Sequence, residues 1–484
     1  MTYDLLVVGG GINGAGIARD AAGRGLSTIL VERGDLAGAT SSASSKLIHG
    51  GLRYLEQYEF KLVHEALAER EILLRIAGHL VWPARFVMPH VPELRPRWVI
   101  RIGLFLYDHL ARRSLLEGSS AIRLDAPPFA SGLKAELKHG FIYSDCRVDD
   151  ARLVLANALD ACQRGARVLT GTECRSAKRQ DDGWRVRLSN GEEIQARAIV
   201  NAAGPWVKKV LNERLSQPSR DLVRLVRGSH IMVPKLYDGD HAFILQNDDR
   251  RVVFMIPYGD LHTLVGTTDV AQVDTESAQP TYDEVDYLCR AVNRYLANPV
   301  RPGDVVWRFA GVRPLYDDGT SDPSAVTRDY TLRVDDEAGA APVLSVFGGK
   351  ITTYRHLAEQ VMEHLKPYFP ALKAPWTDRA ALPGSDFGAQ SRVAARDAFF
   401  ARHTHIPTST LRGIFRRHGT RADEVVGDGQ LGEDFGAGLT ERELRYFIDQ
   451  EWARTAEDVL WRRTKCGLLM SEAQRQRVAQ VVGR

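Results

Sequence analysis

Cysteine is scarce in this chain: five in 484 residues, Cys146, Cys162, Cys174, Cys289 and Cys466, with no CxxC pair among them. That pattern signals neither a disulfide framework nor a zinc or iron–sulfur site, so buried thiols in a reducing compartment are expected, and no metal. An excess of charge of one sign is missing too. With 64 Lys and Arg against 61 Asp and Glu the formal net charge is +3, too little for the field of a nucleic-acid binder, although local basic sites stay open. No uncharged apolar run reaches the roughly 18 residues that span a bilayer. Met1 leads straight into an apolar strand bearing Asp4, without the basic segment and apolar core of a secretory signal. A soluble or surface-associated intracellular protein is expected. What is present is ordinary globular composition, 44% hydrophobic and 26% charged, in a length that suits two to four domains.

The clearest pattern comes first. Residues 3–8 form a short apolar strand, followed by Gly9, Gly10, Gly11, Asn13, Gly14 and Gly16 and a helical stretch to about Arg24. A second strand, 27–31, ends in Glu32. Gly9-x-Gly11-x-x-Gly14 between strand and helix, with an acid 21 positions after Gly11, meets both context tests of a dinucleotide fingerprint. Small residues let the backbone approach a pyrophosphate at the helix N-terminus, and Glu32 can accept from ribose hydroxyls while repelling a 2′-phosphate. The fingerprint alone does not separate NAD from FAD. Its single occurrence, and two later strand–Gly turns at 201–205 and 347–350, favour one long flavin cofactor.

Residues 55–80 carry apolar side chains at helical spacing, and Pro83, Pro89, Pro92 and Pro96 break the pattern. Further helical character lies at 95–113 and 149–162, a strand at 167–169, and alternating strands at 173–200 turn at Gly183 and Asn190-Gly191. Strand patterns at 230–233, 243–246, 252–256 and 263–265 read as an inserted antiparallel sheet. The expected fold class is mixed α/β: a Rossmann-like FAD-binding domain, an inserted antiparallel β-sheet substrate domain and a C-terminal helical domain. The FAD-binding domain is assigned 1–80, 141–210 and 341–380, a helical excursion or cap 81–140, the substrate domain 211–340 and the helical domain 381–484.

The segment TSSASSKLIHGGLRYLE at 40–56, read with the fingerprint, resembles the FAD-dependent glycerol-3-phosphate dehydrogenases, within the fold family of D-amino-acid and glycine oxidases. The likeness continues through YSDCRVDDARL at 143–153, NAAGPWV at 201–207, GSHIMVP at 228–234 and GTTD at 266–269. GVRPL at 311–315, TRDYTL at 327–332, SVFGGKITTYR at 345–355, LGEDFG at 431–436 and LWRRTK at 460–465 extend it over nearly the whole chain. Size and the lack of an EF-hand pattern point to the bacterial type.

The resemblance implies noncovalent FAD, held by Gly9, Gly11, Asn13, Gly14, Glu32, Arg33, Thr40, Ser41, Ser42, Lys46, His49, Gly204, Gly348, Gly349, Lys350 and Thr352. It implies oxidation of sn-glycerol 3-phosphate to dihydroxyacetone phosphate, with hydride passing from C2 to flavin N5. Arg53, Arg313 and Arg328 have forks suited to phosphate oxygens, with Tyr54 and Thr268 as further substrate contacts; any one arginine, taken alone, is more often a solvated charge. His230 is expected to take the C2 hydroxyl proton, because imidazole titrates near working pH. Arg313 and Lys350 complete the catalytic set, and Lys350 fits either the flavin N1–C2=O edge or substrate.

No second redox centre is marked in the sequence, which leaves a quinone or oxygen as acceptor. Placed on a helix, residues 95–113 align Arg97, Arg101 and Arg112 beside Trp98, Ile102, Phe105 and Leu106, as in a helix lying on an anionic bilayer; a packed core helix fits the same pattern. Arg462, Arg463 and Lys465 form a second candidate tract. The expected partners are ubiquinone or menaquinone and the inner-membrane surface, the location cytoplasmic and peripheral, with no nucleic acid and a homodimer left open. The alternatives are a glycerol-3-phosphate oxidase that yields hydrogen peroxide and a flavin-binding partner protein without turnover.

Overall fold

The computed structural model describes residues 1–91, 96–218, 221–249, 251–275, 278–317 and 329–483. Its first sheet runs in the order Thr331–Asp335, Val343–Phe347, Glu193–Asn201, Thr2–Val8, Thr28–Val31 and Arg167–Leu169. The last five pair in parallel. Parallel strands are covered on both faces, which is why Leu5, Leu6 and Val7 follow one another with no exposure at all. An antiparallel hairpin, Cys174–Gln180 with Gly183–Leu188, joins the edge of Glu193–Asn201. The turn into that strand is Asn190-Gly191, with Gly191 at φ 89°.

Helices Ile12–Gly23, Asp150–Gln163 and Tyr354–Leu365 share one core against this sheet. Ala15, Ala18 and Ala21 let the first helix come close, and Leu155, Leu357 and Val361 fill the space between. Burying each of those larger side chains contributes about 1.5–3 kcal/mol. The Asp149 carboxylate caps the second helix by accepting the Arg152 N–H at 3.3 Å.

The second sheet has ten strands and is mostly antiparallel. Val223–Pro234 pairs along most of its length with Trp307–Tyr316 and, toward its end, with His262–Gly266. The sheet draws on more of the chain than 211–340. Val81–Pro89, Ser120–Arg123 and His139–Val148 belong to it, as does Leu47–Ile48. Of the segment expected as a helical excursion, among the described residues only Arg97–His109 is a helix. Cys162 differs as well: it is exposed, past the buried face of its helix, while the other four thiols are buried.

The C-terminal part is helical, from Arg392–Arg402 to Glu472–Val482, with two cores of its own and a short hairpin, Asp434–Gly436 with Leu439–Thr440. Buried ion pairs tie it to the first domain: Arg152 to Glu451, and Arg463 to Asp35.

Candidate active site

A cavity of about 870 Å³ lies where the carboxyl ends of the parallel strands meet the second sheet. The glycine turn builds one end. Gly9 has φ 112°, and a Cβ there would sit 2.6 Å from the Ala202 carbonyl oxygen. A Cβ on Gly14 would come within 1.9 Å of the Gly9 carbonyl oxygen, so Gly14 seats the helix on the strand and is not on the cavity wall. Gly11 is on the wall. The Ile12 N–H, at the start of the helix, donates to the Ser41 hydroxyl at 2.9 Å, and Thr40 donates to the Val312 carbonyl at 2.6 Å. Backbone donors and the positive end of the helix dipole thus face the cavity, as an anionic pyrophosphate requires.

Glu32 accepts the N–H of Gly10 at 2.7 Å and of Gly34 at 2.8 Å, one per carboxylate oxygen, and burial raises its pKa. Each oxygen keeps a lone pair for a hydroxyl. The Arg33 guanidinium stacks 4.1 Å from the Trp206 ring, a pairing with no local sequence signal. Two buried polar atoms on this wall, Asn13 Oδ1 and Trp206 Nε1, have no partner among the described residues. Gly348 and Gly349, at φ 84° and 103°, close the turn opposite Asn13, whose amide donates to the Gly348 carbonyl at 3.1 Å. Orphaned polar atoms, bare backbone and an acid beside a helix N-terminus together fit FAD.

The other end is built from the second sheet. His230 and Arg313 face the cavity from adjacent strands. The His230 ring stacks on Phe309 at 4.9 Å and an 8° interplanar angle, and its Nε2 lies 2.9 Å from the Ser45 hydroxyl. Its Nδ1 is buried without a partner among the described residues. Burial, then the charges of Arg313 and Lys46, lower its pKa to about 3, so the ring is neutral. Arg313 is hydrogen-bonded to the Asp269 carboxylate and to the Thr267 hydroxyl, at 3.1 Å for the latter. Lys350 rests its ammonium 4.2 Å from the Tyr54 ring. Arg53, His49, Gly204 and Thr352 also line the cavity; His49 accepts the Gly51 N–H at 3.1 Å, and Thr352 accepts the His49 N–H at 3.3 Å.

Several expected contacts stand elsewhere. Lys46 turns away from the cavity: its ammonium lies 2.8 Å from both Asp150 oxygens and 2.9 Å from the Ser42 carbonyl. Ser42 is off the wall, its hydroxyl bonded to the Ala39 carbonyl. Thr268 is buried behind it, donating to Glu284 and accepting the Ser229 N–H, both at 2.9 Å, while its neighbour Thr267 faces in. Arg328 lies outside the described residues. The Arg462, Arg463 and Lys465 tract is internal and no membrane surface: the arginines bind Asp35, and Lys465 donates to the Trp461 carbonyl at 2.5 Å. Burial lowers the Lys465 pKa to about 8. The C-terminal part instead gives Trp452, Arg454, Thr455 and Arg462 to the cavity wall, and of these only Arg462 lies in a family-like motif, LWRRTK at 460–465.

Residues 4–355 match the family model described as FAD dependent oxidoreductase, and 375–484 match that of the C-terminal domain of alpha-glycerophosphate oxidase. A glycerol-3-phosphate dehydrogenase of Pseudomonas aeruginosa is 52% identical, over 99% of this chain and 94% of that protein. A D-erythritol 1-phosphate dehydrogenase of Brucella abortus is 49% identical, over 98% and 96%. Among solved structures, glycerol-3-phosphate dehydrogenase from Bacillus halodurans complexed with FAD superposes with a TM-score of 0.75 at 26% identity, covering 99% of this chain and 94% of that one. With a glycine turn, orphaned donors and acceptors, and full-length relatives of this kind, the chain belongs to the FAD-dependent oxidoreductases, in the glycerol-3-phosphate dehydrogenase family.

Proposed function

We propose that this enzyme oxidises sn-glycerol 3-phosphate at C2 to dihydroxyacetone phosphate and passes the electrons to a membrane quinone. The observation that carries the reading is the placing of a neutral histidine and a cationic fork, His230 and Arg313, on one wall of the cavity. A phosphate dianion carries about −1.5 to −2 charges and, once partly desolvated, needs charge-assisted donors. Arg313 and Arg53 supply them, with the Thr267 hydroxyl beside Arg313. FAD, when bound, supplies the hydride acceptor.

His230 receives the C2 hydroxyl proton at Nε2, next to Ser45. A base whose pKa is held near 3 is weak in the free enzyme. Bound phosphate offsets the Arg313 charge that helps to hold it down, so substrate strengthens the base at the step that needs it. Asp269 keeps the Arg313 fork in place. Lys350 adds a second cation on the wall, braced by Tyr54.

The exposed face of Arg97–His109 supports the quinone as acceptor over oxygen. Trp98, Ile102 and Phe105 are 67%, 52% and 57% exposed, while Ile100, Leu104 and Tyr107 on the other side pack into the core. Among the described residues no helix is long and apolar enough to cross a membrane, so a surface helix is the available means of contact.

Anaerobic mixing with glycerol 3-phosphate while recording the flavin spectrum tests the first claim; an unbleached flavin overturns it. The Brucella relative supports a second reading, a four-carbon polyol phosphate as substrate. A higher kcat/KM for D-erythritol 1-phosphate than for glycerol 3-phosphate would select it.

A further inference from the structure

A second group of cations lies outside the cavity, at the seam between the second sheet and the C-terminal helices. Trp82, on strand Val81–Pro89, is surrounded by three guanidiniums: Arg416 at 5.5 Å, Arg147 at 5.6 Å and Arg392 at 6.0 Å from its ring. Arg147 comes from strand His139–Val148, Arg392 from the first turn of Arg392–Arg402 and Arg416 from the last turn of Thr408–His418. Among the described residues none of the three is paired with a carboxylate. Among the described residues Arg147 donates to the Pro257 carbonyl alone. A small void of about 10 Å³ lies among Trp82, Arg147, Arg416, Lys46 and Tyr258, enough for one water. The one acid on its wall, Asp149, is engaged in capping its helix.

Three arginines drawn together without a paired carboxylate, and with only Asp149 on the wall of the void, repel one another. Burial and then Arg416 lower the Arg147 pKa to about 10, and burial, Arg416 and Arg396 lower that of Arg392. Such a cluster is stabilised by an anion, and planar forks select an oxyanion over a spherical ion. Arg416 is exposed, so the site opens to solvent on that side.

We propose that Arg147, Arg392 and Arg416 around Trp82 form a second oxyanion site, which takes the phosphate group of a small ester or of a lipid headgroup. It is separate from the substrate cavity, whose wall includes none of these three arginines.

Calorimetric titration of the FAD-loaded full chain with inorganic phosphate is the test. Two sites are expected: one lost in Arg313→Ala, and one that persists in Arg313→Ala, which makes it independent of the substrate assignment. Arg416→Gln weakens the second site by roughly tenfold or more, the loss of one charge-assisted hydrogen bond. Arg416→Lys falls between, keeping charge without the fork. Neither change alters kcat/KM for glycerol 3-phosphate. Vesicles of phosphatidic acid, set against phosphatidylcholine, identify the source. If Arg416→Gln loses vesicle binding, the ligand is a headgroup; if it loses only soluble phosphate, the ligand is a free ester. If folded, flavin-loaded Arg392→Gln and Arg416→Gln retain both signals at wild-type strength, or the wild type shows neither, the proposal is overturned.

Discussion

His230 Nε2 lies 2.9 Å from the hydroxyl of Ser45, and the two residues come from segments 185 positions apart in the chain. The hydroxyl reaches the imidazole because Lys46, its neighbour, is drawn to the opposite side by Asp150. From the cavity wall Ser45 therefore orients the ring of His230, the residue proposed as base. Replacing His230 with Ala should lower kcat by roughly 10²–10⁴, the usual range for general-base catalysis. Ser45→Ala should lower kcat by a smaller factor, with flavin content unchanged, and stopped-flow flavin reduction checks both.

On the proposed mechanism the state of His230 also sets the pH dependence. Its pKa near 3 means the free enzyme holds a neutral base through the whole physiological range. Since kcat/KM reports free-enzyme ionisations, its profile should show no histidine limb between pH 5 and 7. Arg313→Ala removes a positive neighbour and shifts the limb upward. A limb near pH 6.5 in the wild type would place the base elsewhere.

On the proposed reading the same arginine binds the phosphate. Arg313→Ala should reduce kcat/KM for glycerol 3-phosphate by roughly tenfold to a hundredfold, the worth of one charge-assisted contact, while activity on glycerol, already poor, changes little. An unchanged ratio of the two in folded protein removes Arg313 from the phosphate site.

How much of this was legible follows the reach of each signal. The glycine turn is local: strand, Gly9, Gly14 and helix are contiguous, so their pattern already stated their geometry. The second sheet is not. Pro83 and Pro89 read as breaks, yet both lie in Val81–Pro89, whose register with the parallel neighbour covers only Phe86 and Val87. The prolines sit outside that register, where a missing N–H does no harm. Lys46 and Ser45 differ by one residue, and only Asp150, 104 positions from Lys46, decides which side chain turns inward. Arg463 looked like a surface cation because its partner, Asp35, is 428 positions away.

A buried network in the C-terminal part gives an acid-stability prediction. Burial raises the Glu443 pKa, but Arg417 and His418 outweigh it and hold the carboxyl at about 2, below its ordinary 4.5. A depressed carboxylate stabilises the fold fully above the unfolded value, and the gain is lost as pH falls from about 4.5 to 2. Glu443→Gln strands a buried cation and should cost about 3–5 kcal/mol at pH 7. The difference in Tm from wild type should narrow steadily as the pH is lowered toward 3. A constant difference would mean that the charge of Glu443 is not what stabilises.

The proposed membrane contact turns on which face of Arg97–His109 is free. Its inner face is committed: Ile100, Leu104 and Tyr107 are buried, and the Tyr107 hydroxyl donates to Asp145 at 2.7 Å while accepting the Gly50 N–H at 2.8 Å. That fixes the helix to the turn that walls the cavity and leaves Trp98, Ile102 and Phe105 outward. Aromatic and aliphatic side chains on an outer face beside Arg97 and Arg101 are suited to the headgroup boundary of an anionic bilayer, where apolar burial and charge act together. Changing Trp98, Ile102 and Phe105 to Ser should therefore leave folding, flavin content and anaerobic flavin reduction intact, because none of the three supports the core. Binding to anionic liposomes and turnover with a membrane-embedded quinone should both fall, whereas a soluble quinone analogue should still be reduced. If the triple variant keeps its liposome binding, the bilayer is met by another surface; if it unfolds, the three side chains are part of the core after all.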